Sequence, residues 1–223
     1  MKTVIVVAPH PDDETYGCGG TLLRHRKVGD SVHWLIVTNM SKETGFSAKK
    51  IQTREQEIEC VAEIYGFSSV QRLHFPPARL EKIPLQELVS AIGKIFHAIV
   101  PQEIYLPYRG DVHTDHQVVF DAVNACSKWF RFNSIKKILA YETLSETDFN
   151  FDPNISAFKP NFYSNIHPFL EKKISISKIY ESEIGEFPFP RSEQAIRALA
   201  NYRGLLSGYT AAEAFIVLKE LCD

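Results

Sequence analysis

A chain of 223 residues with 44% hydrophobic and 23% charged side chains has the make-up of an ordinary globular protein, and is long enough to bury a core without disulfide or metal staples. Its 25 basic and 27 acidic residues leave a formal charge of −2, so no basic excess favours nucleic acid or an anionic membrane as a partner. Four scattered cysteines without a CxxC pair, an N-terminal apolar run (residues 4–8) too short for a signal peptide, and no apolar stretch near the ~20 residues that insert across a membrane make the cytoplasm the expected location.

Residues 4–8 form a short continuous apolar run, the pattern of a strand covered on both faces. Residues 17–28 read as a helix closed by Gly29-Asp30, and 31–40 as a second buried strand. A loop with Gly45 leads to a helix over 49–65, where Ile51, Ile58, Val61, Ala62 and Tyr65 make an apolar stripe and Gly66 supplies the stop. A third strand (70–75), an amphipathic helix (84–99) ended by Pro101, and a fourth strand (103–108) follow. Next come the loop RGDVHTDH, a helix over 115–130 and a fifth strand at 135–143. Strands alternating with helices at this spacing predict an α/β, Rossmann-like, mostly parallel sheet with helices on both faces.

Past Thr143 the pattern changes. Residues 145–165 read as irregular with one strand near 161–166, then a helix (171–184), an extended break (187–191) and a helix (192–208), with 211–221 as the last turns. No repeat or low-complexity linker interrupts the chain, so residues 1–223 are expected to form one domain, a core (1–143) with a C-terminal helical and irregular cap (144–223).

Ligands of open parallel sheets bind beyond the carboxyl ends of strands. Two clusters of metal-type residues fall there: Pro9-His10-Pro11-Asp12-Asp13-Glu14 after the first strand, and Asp111 to His116 after the fourth. The first can be read as a helix N-terminus, where acidic residues suit the macrodipole, but that leaves His10 between two prolines unexplained. The second can be read as an N-cap at Thr114 with solvated neighbours, yet His113 and His116 are spaced to share a helix face. Together the clusters offer two histidines and a carboxylate, a usual catalytic zinc shell with one position left for water.

APHPDDE (8–14), with DVHTDH (111–116) about 100 residues later, resembles the LmbE-like, or GlcNAc-phosphatidylinositol de-N-acetylase, family of zinc-dependent N-deacetylases. T-R-E-x-E (53–57), Y-E-T (141–143), L-E-K-K-I (170–174), Y-R-G (202–204) and A-E-A-F (212–215) fit the same pattern, so the likeness spans most of the chain. It implies a Rossmann-like fold, a Zn²⁺ cofactor, and hydrolysis of an N-acetyl group from a GlcNAc-like amino sugar or conjugate, nucleotide-linked ones included. Carried over, it makes His10, Asp13 and His116 the zinc ligands and Asp12 the general base. His113 becomes the charged partner of the oxyanion and the acid for the leaving amine, with Asp115 orienting it and raising its pKa. Arg54 matches a substrate-contacting arginine; Arg109 and Asp111 flank the HxDH loop, where either lines the cleft or pairs with the other. Glu14 reads as a supporting or helix-start carboxylate, and Gly17, Gly19 and Gly20 as close packing.

Two departures stand out. Relatives often carry a carboxylate in the loop after the third strand, where this chain has Pro76-Pro77-Ala78-Arg79, which implies a different sugar orientation or an acidic group opposite Arg79. Thr114 stands where proline is frequent. The competing readings are a metal-dependent amidase or carbamoyl hydrolase on another small N-acyl substrate, and a non-catalytic sugar-binding protein on the same fold. A homo-oligomer is left open.

Overall fold

In the computed structural model, which describes residues 1–222, the apolar runs form β1 (Thr3–Ala8), β2 (Ser31–Thr38), β3 (Ser69–Phe75), β4 (Glu103–Pro107) and β5 (Lys137–Tyr141). They are joined by α1 (Asp13–Lys27), α2 (Ala48–Tyr65), α3 (Leu85–Ile99) and α4 (Thr114–Ala125). All five strands pair in parallel. Alternate residues of β1 feed two cores: Ile5 and Val7 pack with Leu88, Ile92 and Phe96 of α3 and Val119 of α4, while Val4, Val6 and Ala8 pack with Leu22 of α1 and Ile58 and Val61 of α2. That is why these strands read as unbroken apolar runs. Gly66, left-handed at φ 64, returns its N–H to Ala62 and Glu63 and ends α2.

The strand order is β3-β2-β1-β4-β5, continued by β7 (Ala212–Glu220) and β6 (Phe162–Asn165). Chain direction around the sheet reverses between β1 and β4, so the loops leaving these two strands diverge and open a crevice at their carboxyl ends. Both motif clusters sit there.

The tail differs from expectation at its end. Residues 212–220 are not helical turns but β7, antiparallel to β5 and to β6. Gly208, at φ 75, closes α6 (Glu193–Ser207), and the next segment covers the edge of β5 that would otherwise lie unpaired. The helix expected at 171–184 is the shorter α5 (Leu170–Ser177), and residues 187–191 make turns rather than an extended strip.

α1 starts earlier than expected, at Asp13, and is broken at Cys18 (φ −146, ψ 19). The tail staples this break. Glu213 of β7 accepts the N–H groups of Gly20 (2.8 Å) and Thr21 (2.7 Å), and Lys173 of α5 donates to the Tyr16 carbonyl (2.9 Å) and to Glu213 (2.7 Å). One carboxylate and one ammonium thus satisfy backbone groups that the kink frees. Close packing at the glycines accompanies it: a Cβ on Gly17 would run into Tyr141, and one on Gly20 into Ile166.

Candidate metal centre and active site

The Pro9–Pro11 turn delivers His10 from the end of β1, Asp13 opens α1, and His116 lies in the first turn of α4. Asp13 is fully buried, and its Oδ2 lies 3.3 Å from His10 Nδ1 and 3.3 Å from His116 Nε2. The opposite nitrogen of each imidazole is held by a carboxylate: His10 Nε2 by Asp115 (3.0 Å) and His116 Nδ1 by Asp111 (2.8 Å). Each carboxylate can hold a proton on the nitrogen it meets, which leaves His10 Nδ1 and His116 Nε2, both facing Asp13 Oδ2, as the ring atoms a cation would meet. His116 Nε2 and Asp13 Oδ1 are buried with no hydrogen-bond partner among the described residues.

This set fits a metal. A tetrahedral site with bonds of ~2.0–2.1 Å has ligand-to-ligand edges of about 3.3–3.4 Å, the spacing seen around Asp13. Electrostatics agree. Burial opposes the charge on each group, yet hydrogen bonds with Asp115 and Asp13 raise His10 to about 9, Asp13 and Asp111 raise His116 to about 10, and the two imidazoles hold Asp13 well below the carboxylate range. A divalent cation would take the place of those protons. His10, His113 and Asp115 make a second grouping with metal-compatible spacing, but there the Asp115 oxygen already accepts from His10 Nε2 and Ala78 N (2.6 Å).

Two expectations about this loop are corrected. The Asp115 carboxylate orients His10, and only the Asp115 backbone meets His113; the carboxylate's other oxygen takes the Leu80 N–H (3.1 Å), tying the β3 loop to the centre. His113 caps α4, with Nδ1 accepting the Asp115 N–H (3.1 Å), and burial together with the charges of His10 and His116 lowers its pKa to about 4 rather than raising it. His113 is therefore a neutral imidazole with its proton on Nε2. Asp111 is a partner of His116 and of Thr147 (2.7 Å), not of Arg109.

Asp12 stands beside the centre on strained backbone (φ 135, ψ −30), a region that costs about 1–3 kcal/mol for a residue with a side chain. Glu14 holds it there: one oxygen accepts the Asp12 N–H (2.9 Å), the other the hydroxyls of Thr15 (2.6 Å) and Tyr180 (2.8 Å). Glu14 is thus a supporting carboxylate, as read from the sequence. Arg191 donates to Asp12 Oδ2 (2.7 Å), whereas Oδ1 is buried and unpartnered among the described residues. Burial pushes Asp12 up to about 7 against the pull of Arg191.

His10, Asp12 and His113 line a cavity of about 460 Å³, a size suited to a small ligand. Arg54 lies in its wall, but its guanidinium already serves the Pro11 carbonyl (2.7 Å), Glu183 (2.6 Å), Ser182 (3.1 Å) and Glu57 (3.0 Å). Arg54 therefore braces the turn that carries His10 and Asp12. Arg109 is corrected outright as a cleft residue: it is 60% exposed, pairs with Asp121 (2.7 Å) and lies outside the cavity. The sequence reading missed Glu146, Glu183 and Arg191, which the C-terminal tail adds to the cavity lining. Their one local signal is Arg191 wedged between Pro190 and the Ser192 cap of α6.

Comparison with known proteins follows the same lines. A model of the GlcNAc-PI de-N-acetylase family (PIG-L) matches residues 5–127. The diacetylchitobiose deacetylase of Thermococcus kodakarensis is 29% identical over 224 residues, covering 96% of this chain and 82% of that protein. The probable N-acetyl-alpha-D-glucosaminyl L-malate deacetylase 2 of Bacillus cereus is 31% identical over 131 residues, 55% of this chain and 59% of its own. Among solved structures, the conserved protein TT1542 from Thermus thermophilus superposes with a TM-score of 0.79 at 26% identity, covering 100% of this chain and 97% of that one.

Proposed function

The chain belongs to the GlcNAc-PI de-N-acetylase family, and on that premise we propose that it is a zinc-dependent hydrolase that removes the N-acetyl group from an N-acetylated amino sugar or sugar conjugate. The observation that carries this reading is the meeting of His10 Nδ1, His116 Nε2 and Asp13 Oδ2 at one point beside a ligand-sized cavity. These three side chains would hold the ion, with Asp115 and Asp111 fixing the two imidazoles. A zinc ion held there supplies Lewis acidity to an amide carbonyl and lowers the pKa of water to about 7.

The remaining steps belong to the protein. Arg191 fixes one oxygen of Asp12 and leaves Oδ1 as the acceptor for a proton from the attacking water. The hydroxyl goes to the carbonyl carbon, and Asp12 returns the proton to the departing nitrogen, so water and amide give acetate and free amine. His113, capped at Nδ1, directs its Nε2 proton as a neutral donor toward charge developing on the carbonyl oxygen. Asp12 thereby carries the proton transfer that the resemblance assigned to His113.

Zinc-loaded protein should release equimolar acetate and free amine from an N-acetyl amino sugar such as N,N'-diacetylchitobiose. Asp12→Ala should abolish turnover and keep its zinc, whereas His10→Ala should lose both. Full activity in both variants, or preference for a longer acyl or carbamoyl group over acetyl, would contradict the assignment.

A further inference from the structure

Selection among N-acetylated substrates follows from how charge is arranged in the cavity. Three carboxylates line it, Asp12, Glu146 and Glu183, against two guanidiniums, Arg54 and Arg191. Neither guanidinium is available. Arg54 is engaged by Glu183, Glu57 and the Pro11 carbonyl, and Arg191 by Asp12 (2.7 Å), Ser145 (2.9 Å), Glu146 (3.4 Å) and Glu183 (3.4 Å). Arg79, the cation next along from Ala78, is exposed and not part of the lining. Away from the metal centre, an anionic group on the substrate would meet two glutamates and no cationic side chain that is not already paired, and like-charge juxtaposition disfavours such binding.

The same wall suits hydroxyls. Glu146 Oε1 takes Ser145 (3.2 Å) and the distant Arg191, while its Oε2 has no hydrogen bond among the described residues. Glu183 commits Oε1 to Arg54 and Ser182 (3.0 Å), and its Oε2 has only Arg191 at 3.4 Å. Each glutamate thus brings one underused acceptor oxygen to the cavity lining from the C-terminal tail, whereas the Pro77-Ala78 segment of the lining supplies no carboxylate. Met40, Phe46 and Phe189, the last 44% exposed, add apolar surface for the C–H face of a pyranose ring.

We infer that the cavity selects an uncharged saccharide over carboxylate- or phosphate-bearing conjugates, with Glu146 and Glu183 accepting its hydroxyls, a deepening that rests on the N-deacetylase reading. The test is steady-state kinetics of the zinc-loaded full chain on two panels. One holds uncharged N-acetylglucosamine and N,N'-diacetylchitobiose; the other holds the anionic N-acetylglucosaminyl malate and UDP-N-acetylglucosamine. The best uncharged substrate should exceed the best anionic one at least tenfold in kcat/KM. Glu146→Gln should raise KM for the uncharged substrate several-fold, change kcat less, and narrow the gap between panels. An anionic substrate turned over equally well or better, or a Glu146→Gln protein with unchanged KM and unchanged ratio, overturns the inference. If that variant fails to fold, the wild-type ratio still decides. Absence of turnover on both panels fails the N-deacetylase reading instead, a distinguishable result.

Discussion

Replacing Glu213 by leucine tests how the C-terminal tail supports the turn that carries His10 and Asp13. Glu213 and Lys173 are both 5% exposed and 2.7 Å apart, and together they satisfy the backbone around the break in α1. Glu213→Leu strands the Lys173 ammonium on a single carbonyl and leaves two N–H groups without an acceptor. Removing one partner of a buried pair costs about 3–5 kcal/mol. For a chain of this length each kcal/mol moves Tm by roughly 2–4 °C, giving a fall of about 6–20 °C. The Lys173→Met/Glu213→Leu double variant removes the stranded charge and should cost less than Glu213→Leu alone. Thermal unfolding of the metal-free proteins by circular dichroism measures both. Zinc affinity supplies the functional arm, because α1 begins at Asp13: Glu213→Leu should weaken it, whereas Leu88→Ala, a core truncation in α3 of similar cost (~2–5 kcal/mol), should not. A double variant as unstable as the single, or equal zinc affinities in Glu213→Leu and Leu88→Ala, would refute the reasoning.

Asp111→Asn should weaken zinc binding about 10–100-fold in a chelator competition, because it loosens the nitrogen opposite the one His116 offers the metal; a change below threefold contradicts the role. Arg109→Ala should leave kcat/KM within about twofold and stability within ~1 kcal/mol, since its partner Asp121 is itself on the surface. Burial opposes the charge of Glu103, yet hydrogen bonds from His25 and Tyr105 hold it at about 2, against an ordinary 4.5. Its contribution, about 3 kcal/mol, is complete above the unfolded value and is lost as pH falls from ~4.5 to about 2. Acid titrations of stability should therefore show a shallower limb for Glu103→Gln, and an unchanged limb would refute that.

Much of the architecture was legible because each of the first five strands is a short apolar run between turn residues, and Gly66 and Gly208 mark helix ends by their left-handed backbone. β7 was not. Its sequence, AEAFIVLKE, is full of helix formers, and only the open edge of β5 makes it a strand. The two motif clusters were readable because each is a short turn after an apolar strand, and the resemblance singled out His10, Asp13 and His116 within them, which the fold brings together where strand order reverses. Partnerships were less so. The resemblance linked Asp115 with His113, whereas the fold places the Asp115 carboxylate against His10, 105 residues away. Glu146, Glu183 and Arg191 reach the cavity only through the packing of the tail, and no spacing announces them.

Anomalous diffraction at the zinc edge from crystals of the zinc-loaded protein locates the ion. One peak per chain is expected, bounded by His10 Nδ1, Asp13 Oδ2 and His116 Nε2. A principal peak among His10 Nε2, His113 and Asp115, or no bound zinc, would contradict this placement.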